Sequence, residues 1–240
     1  MKTIVITGTD RGLGLALAAE LLAAGDRVFL TCLDPAGDAV RALAARFPER
    51  ASLIRLDLGD AASVDAAAAE IRRDTPAIDR LVNNAAILGD IEHSVGEPGF
   101  NCDEVLHVIR INALGPLRVT HALWDLLVAG NEKLLVNISS EAGSIGQNWR
   151  DRWFGYCMSK AALNMEGALI HARLRKLGGR VMLVHPGYVR SFMHGARNEN
   201  ATYEPDEAAR LVLAAIDRRA DAPAGDQPDY FDLHGNDLRW

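Results

Sequence analysis

Tyr156 and Lys160 lie four residues apart in the run Tyr156-Cys157-Met158-Ser159-Lys160, which opens an apolar helical pattern reaching about residue 177. Side chains four apart on a helix stack on one face. An ammonium held near a phenol favours the phenolate, so this spacing predicts a tyrosine with a depressed pKa. Such a group can give or take a proton near neutral pH, as general acid-base catalysis requires. Tyrosine and lysine also meet at this spacing by chance in many helices. The pair gains meaning only from the elements around it.

The elements that must position it alternate in type. Residues 3–7 are a short β-branched run, read as a buried strand. Gly8-Thr9-Asp10-Arg11-Gly12-Leu13-Gly14 follows, then a helical pattern over 15–24 with Gly25 just past its end. Strand, glycine-rich turn and helix bring free N–H groups and a helix dipole to an anion, so this stretch predicts a phosphate cradle. Further strands are expected at 28–32, 53–56, 80–83, 134–138, 181–184 and 229–233. Helices are expected from Asp34 to about 45, over 63–73 with Ser63 as N-cap, over 103–129, and over 205–218. Gly115-Pro116 predicts a local irregularity in the long helix near Asn112. Strand and helix repeat about every 25 residues, which implies a parallel sheet with helices on both faces. Ligands bind such sheets beyond the carboxyl ends of the strands, where Gly8, Cys32, Asp57 and Asn83 fall. Residues 88–102 and 147–154 read as loops and 192–204 as irregular. Neither linker nor repeat divides the chain, so a single domain over 1–240 is expected.

Composition narrows the function classes. The chain has 240 residues and a net charge of -6, with a pI near 5.6. That balance argues against a nucleic-acid-binding surface or a basic membrane patch. Cys32, Cys102 and Cys157 are widely separated and form no metal motif or disulfide framework. No apolar run approaches the ~18 residues of a membrane helix. A cytoplasmic, metal-free protein is expected.

Taken together, Thr7 to Gly14, Asn83-Asn84-Ala85, Asn112, Ile138-Ser139-Ser140, Tyr156 with Lys160, and Pro186-Gly187 resemble the short-chain dehydrogenase/reductase family, in its single-domain branch. The Gly143-Ser144-Ile145 run, the tryptophan-bearing insert before Tyr156, and the Tyr230-Phe231-Asp232 and Arg239-Trp240 pairs are similar to the subgroup holding the sniffer carbonyl reductases and C-factor proteins. The resemblance covers nearly the whole chain. It implies a Rossmann-type doubly wound α/β fold with a mostly parallel seven-stranded sheet. Tyr156 would be the general acid at a carbonyl oxygen and Lys160 would lower its pKa and bond the nicotinamide ribose. Ser140 would hydrogen-bond the substrate oxygen, with Ser139 as a lesser rival. Asn112 would anchor a water leading from Lys160 to solvent. The cofactor would rest on Gly8, Arg11, Gly12, Leu13 and Gly14. Asp57 and Leu58 would border the adenine, Asn83 and Ala85 the adenosine and its ribose, and Pro186, Gly187 and Val189 the nicotinamide. A homodimer or homotetramer is implied, as is a small carbonyl or alcohol substrate.

Three features depart from the family pattern. Ala86 stands where glycine is usual, and the stretch from 147 to 154 lengthens the serine-to-tyrosine spacing. Cys32-Leu33-Asp34 offers neither the acid that would bind an NAD ribose nor an arginine at 33 for NADP. Arg11 could pair with a 2'-phosphate, which favours NADP(H) over NAD(H). Trp149, Trp153, Phe154, Phe192 and Met193 are expected to wall the cleft mouth, or else to pack together or in an interface. His185 is expected to be satisfied by backbone, and Asp10 and Asp34 to serve turns. The leading function is hydride transfer between NADP(H) and a carbonyl or alcohol. The alternative is a nucleotide-binding signalling or interaction protein with little catalysis. A sugar-nucleotide epimerase is a third option, but the short stretch between Ser191 and Pro205 leaves little room for its substrate domain.

Overall fold

A computed structural model describes residues 1–193 and 195–240. Seven strands form one sheet: β1 (Thr3–Thr7), β2 (Arg27–Cys32), β3 (Ala51–Arg55), β4 (Arg80–Asn83), β5 (Leu134–Ile138), β6 (Arg180–His185) and β7 (Asp229–Asp232). Their order is β3-β2-β1-β4-β5-β6-β7. Every pairing is parallel, so the sheet is wholly and not merely mostly parallel. The chain reverses its winding between β1 and β4, and a crevice opens at the carboxyl ends there.

Alternation along the strands sends side chains to two cores. Ile4, Ile6, Val28, Leu30, Val136 and Val184 face one side, against helices α1 (Gly12–Ala23), α2 (Asp38–Arg46) and α8 (Pro205–Ala220). Val5, Phe29, Leu81, Leu135 and Leu183 face the other. That second face is covered by α3 (Ala61–Asp74), α5 (Gly115–Ala122), α6 (Trp124–Ala129) and the long α7 (Phe154–Leu174). Burying a side chain of this size stabilises the fold by roughly 1.5–3 kcal/mol, so either core alone outweighs any single polar contact.

The long helix expected over 103–129 is four pieces: α4 (Cys102–Ile109), a π turn at Arg110–Leu114, then α5 and α6. The irregularity falls on Asn112, as Gly115-Pro116 predicts, because proline at the start of α5 supplies no N–H to the preceding turn. Two boundaries move. α2 begins at Asp38, because Asp34 is spent on a turn in which its Oδ1 accepts from the Ala36 N–H at 2.9 Å. α3 is capped by Asp60, whose carboxylate accepts from Ala62 N–H, and not by Ser63. Ser63 instead accepts the Asp57 N–H at 2.9 Å and fixes the end of β3.

Candidate active site

A cleft of about 870 Å³ runs across the carboxyl ends of β1, β4, β5 and β6. At one end the chain leaves β1 through Gly8, whose N–H donates to Thr31 O at 2.8 Å. Thr7 Oγ1 accepts the N–H groups of Asn84 and Ala85 at 3.0 and 3.1 Å, which ties the first turn to the end of β4. Asn84 Nδ2 then donates to Thr7 O and Gly8 O. Gly14 packs so tightly here that a Cβ would lie 2.1 Å from Gly8 O. Gly12 takes φ +58, and a Cβ there would meet only the Ser191 Cβ, 4.0 Å away. α1 starts at Gly12, after Arg11 at the N-cap, with no side chain capping its first turn and no acidic residue in it. Free N–H groups at a helix start, beside glycines that leave room, fit a pyrophosphate.

Gly8, Arg11, Gly12, Leu13, Gly14, Asp57, Leu58, Ala85, Pro186, Gly187 and Val189 all line this cleft, and so does Ala86. Asn83 does not. It is 2% exposed, and its side chain donates to Asn137 at 2.9 Å and Thr120 at 3.3 Å. The strand's alternation turns Asn83 into the protein, and the next residue, Asn84, lines the cleft instead. At the end of β2, Cys32 is buried and Leu33 is exposed. Arg11 is largely exposed, 3.8 Å from Asp10 and over the Phe192 ring at 5.5 Å. Asp10 also lines the cleft, so it is not merely a turn residue.

At the other end Tyr156, Lys160, Ser139 and Ser140 share one wall. Ser140 lies two residues past β5 and caps a short 3-10 turn at Glu141–Gly143: its Oγ accepts from Ala142 N–H at 3.1 Å, which leaves its own proton free to donate. Ser139 has no such freedom, because its hydroxyl donates to Asn164 at 2.6 Å. Lys160 is buried and its Nζ donates to Ile138 O at 2.8 Å.

The Tyr156 pKa runs opposite to the depression expected from Lys160. Enclosure of the phenol end pushes it up to about 12, and the Ser140 hydroxyl beside it offsets only part of that. Lys160 sits 5.6 Å from the tyrosine ring centre with its amine turned to Ile138. Burial brings Lys160 itself down to about 8. Asn112 stands behind this wall and outside the cleft. Its amide accepts from Ile87 N–H at 2.8 Å and donates to Ile87 O and Ser159 Oγ. It therefore joins the π turn to α7 and to the segment after β4.

Trp149, Trp153, Phe192 and Met193 line the mouth. Phe154 does not, because as the first residue of α7 it turns edge-on to Phe100, 5.2 Å away. Sequence reasoning missed Arg150 and Glu141. Arg150 is only 9% exposed and stacks over Trp149 at 4.4 Å and Trp153 at 5.0 Å. It makes a two-pronged ion pair with Glu141. No spacing signal could have joined position 141 to 150 across a loop. His185 was misjudged: it lines the cleft, its Nδ1 is buried without a partner, and burial lowers its pKa.

Among the described residues no cluster of three or more His, Cys, Asp or Glu could hold a metal. Nor is any described helix long and apolar enough to cross a membrane.

The family model for short chain dehydrogenases matches residues 2–202. The chain is 30% identical to 1-hydroxy-2-glutathionyl-2-methyl-3-butene dehydrogenase of Rhodococcus sp. (strain AD45), over 94% of this chain and 95% of that one. A short-chain dehydrogenase/reductase from Burkholderia multivorans, solved with bound NADP, superposes with a TM-score of 0.87 at 30% identity, covering 100% of this chain and 99% of that one. The carbonyl reductase Sniffer of D. melanogaster gives a TM-score of 0.87 at 25% identity and covers 100% of both chains. With this sheet order, glycine turn and Tyr-Lys wall, the chain belongs to the short-chain dehydrogenase/reductase family of oxidoreductases.

Proposed function

We propose that residues 1–240 form one catalytic domain that transfers hydride between NADP(H) and a small carbonyl or alcohol, through Tyr156, Ser140, Lys160 and Asn112. One observation carries this reading. The glycine cradle and the Tyr156–Ser140–Lys160 wall open into the same cleft. Bound at Gly8, Gly12 and Gly14, the nicotinamide cofactor supplies or accepts the hydride. The chain's own residues manage charge and protons. Tyr156 keeps its proton on Oη at neutral pH, because its pKa is held high, and gives it to a carbonyl oxygen as negative charge grows there. Ser140, with its hydroxyl proton free, donates to the same oxygen. Two donors aimed at one developing charge lower the barrier more than they favour the substrate. Lys160 backs the phenol, and Asn112 holds the π turn against α7. Pro186, Gly187 and Val189 border the nicotinamide end.

The preference for NADP(H) rests on Arg11 and on the absence of an acid at position 32. The aromatic rim suits a carbonyl compound with an apolar body. Exposed Met158, Met165 and Leu169 on one side of α7 support a homo-oligomer.

The test is Tyr156→Phe, assayed with NADPH against a panel of aryl and alkyl aldehydes and ketones. Turnover is expected to fall by about 10³-fold or more, with NADPH affinity within a few-fold of wild type. Full activity in the variant ends this reading. Tight NADPH binding by the wild type without oxidation by any compound would leave a nucleotide-binding protein instead. The pH dependence has a definite sign. Reduction needs the protonated phenol, and loss of the Tyr156 proton does not limit it from about pH 6 to 9, whereas alcohol oxidation needs the phenolate and climbs with pH.

A further inference from the structure

Ser140 must aim its hydroxyl at the same point as Tyr156, yet it sits on a turn of three residues with little intrinsic rigidity. Its main-chain oxygen is held by two donors. Gly143 N–H donates to it from within the turn at 3.0 Å. The second donor comes from far along the chain: Tyr230 Oη on β7 donates at 2.6 Å. Two donors on one oxygen fix the plane of the peptide that follows Ser140, and on that frame the Ala142 N–H bond holds Oγ.

Tyr230 is itself braced. It is 3% exposed, and burial pushes its pKa up to about 12, so it stays a donor through the working pH range. Leu238 N–H donates to Tyr230 O at 2.8 Å. The Trp240 ring packs on the Tyr230 ring at 5.3 Å. Trp240 O in turn accepts Gly146 N–H at 3.0 Å, on the loop that continues from the serine turn. Residue 146 must be small there, because a Cβ would lie 2.9 Å from Trp240 O. The segment from 238 to 240 thus closes a loop: β7 to the serine turn through Tyr230, and back through Trp240.

We propose that Tyr230 is a positioning residue for Ser140, held in place by Leu238 and Trp240. The inference rests on the reading of Ser140 as the second donor to the substrate oxygen. Tyr230 touches no reacting atom and acts only by fixing the serine turn.

The test is a double-mutant cycle with the full chain, NADPH and the fastest-reduced carbonyl compound of the panel. Tyr230→Phe keeps the ring and removes the donor. It is expected to lower kcat about tenfold, with NADPH affinity and KM within about twofold, because a small misaiming of one oxyanion donor costs rate and not binding. In a Ser140→Ala background the same change is expected to cost less than about twofold, since no hydroxyl remains to misplace. Trp240→Ala leaves the donor but removes its brace. A loss of about threefold is expected, again only when Ser140 is present.

Equal losses in both backgrounds, or a loss confined to KM, would show a general structural role and overturn the proposal. So would an unchanged kcat in Tyr230→Phe. If Tyr230→Phe cannot be purified folded, the Trp240→Ala cycle decides by the same criterion. Full activity in Ser140→Ala would instead remove the reading of Ser140 on which the proposal rests.

Discussion

At the glycine turn the cleft wall is mostly main chain: Gly8, Gly12 and Gly14, with Thr7 and Asn84 spent on backbone bonds. Every part of it comes from β1, α1 and the end of β4. At the tyrosine end the wall is side chain. It is assembled from the segment after β5, the loop at 147–153, α7 and the end of β6, with β7 bonded to it from behind through Tyr230. The first region depends on close backbone approach and hardly on charge. The second encloses Lys160, Tyr156 and, deeper on α7, Glu166. Substitutions should therefore act through space at one end and through protons and aim at the other.

The sharpest way to break that contrast is Gly14→Ala. The new methyl carbon would lie 2.1 Å from Gly8 O and 2.4 Å from Asn84 Nδ2. One of those is main chain and the other is already bonded to it, so the turn itself must move. Loss of NADPH affinity by about 100-fold or more is expected, or a fall in stability of about 3 kcal/mol, whichever way the turn relieves the clash. Tryptophan fluorescence titration and thermal unfolding read the two. If the variant binds NADPH within threefold of wild type and melts normally, the cradle is not built by close approach.

The same contrast explains what the sequence revealed. Strand–helix alternation, the glycine run and Gly115-Pro116 are local patterns, so the sheet, the glycine turn and an irregularity near Asn112 could be read directly, though not that the irregularity is a π turn. Asn83 was misplaced because the choice between Asn83 and Asn84 hangs on strand register, and one residue's shift turns a side chain to the other face. The Tyr156 pKa was misjudged because spacing shows that a lysine is near but not how deeply the phenol is enclosed. The Arg150–Glu141 pair and the Tyr230 bond join positions 9 and 90 residues apart, and nothing in the intervening sequence marks them.

Glu166 sharpens the charged side of the contrast. It is 8% exposed, its Oε1 has no partner, and burial pushes its pKa up to about 8. The folded chain thus holds a proton that the unfolded chain, near the ordinary 4.5, has released. That stabilisation is full below about pH 4.5 and is lost as pH rises through 8. Lys160, held down at about 8 from 10.5, acts oppositely: stability recovers as pH rises from 8 to 10.5. The two give a stability minimum near pH 8. Glu166→Gln should remove the falling limb and stabilise the chain more at pH 8 than at pH 5. Denaturant unfolding at the two pH values checks it. Equal effects at both would mean that Glu166 is charged when folded.

The smallest expected effect lies at the one basic residue of the glycine turn. Arg11 is exposed, and its nearest acid, Asp10, is 3.8 Å away, so redirecting the guanidinium breaks only a weak surface pair. A 2'-phosphate would gain a charge-assisted bond from it, while a 2'-hydroxyl would gain almost nothing. Arg11→Ser should therefore raise the dissociation constant for NADPH about tenfold and leave that for NADH within twofold, a difference of about 1.4 kcal/mol. Asp10→Asn should do the reverse and tighten NADPH alone, because the carboxylate that competes for Arg11 and repels phosphate is gone. Fluorescence titration of both cofactors reads all of these constants. If the wild type binds the two equally, or prefers NADH, Arg11 is an ordinary surface residue and the glycine end is free of functional charge altogether.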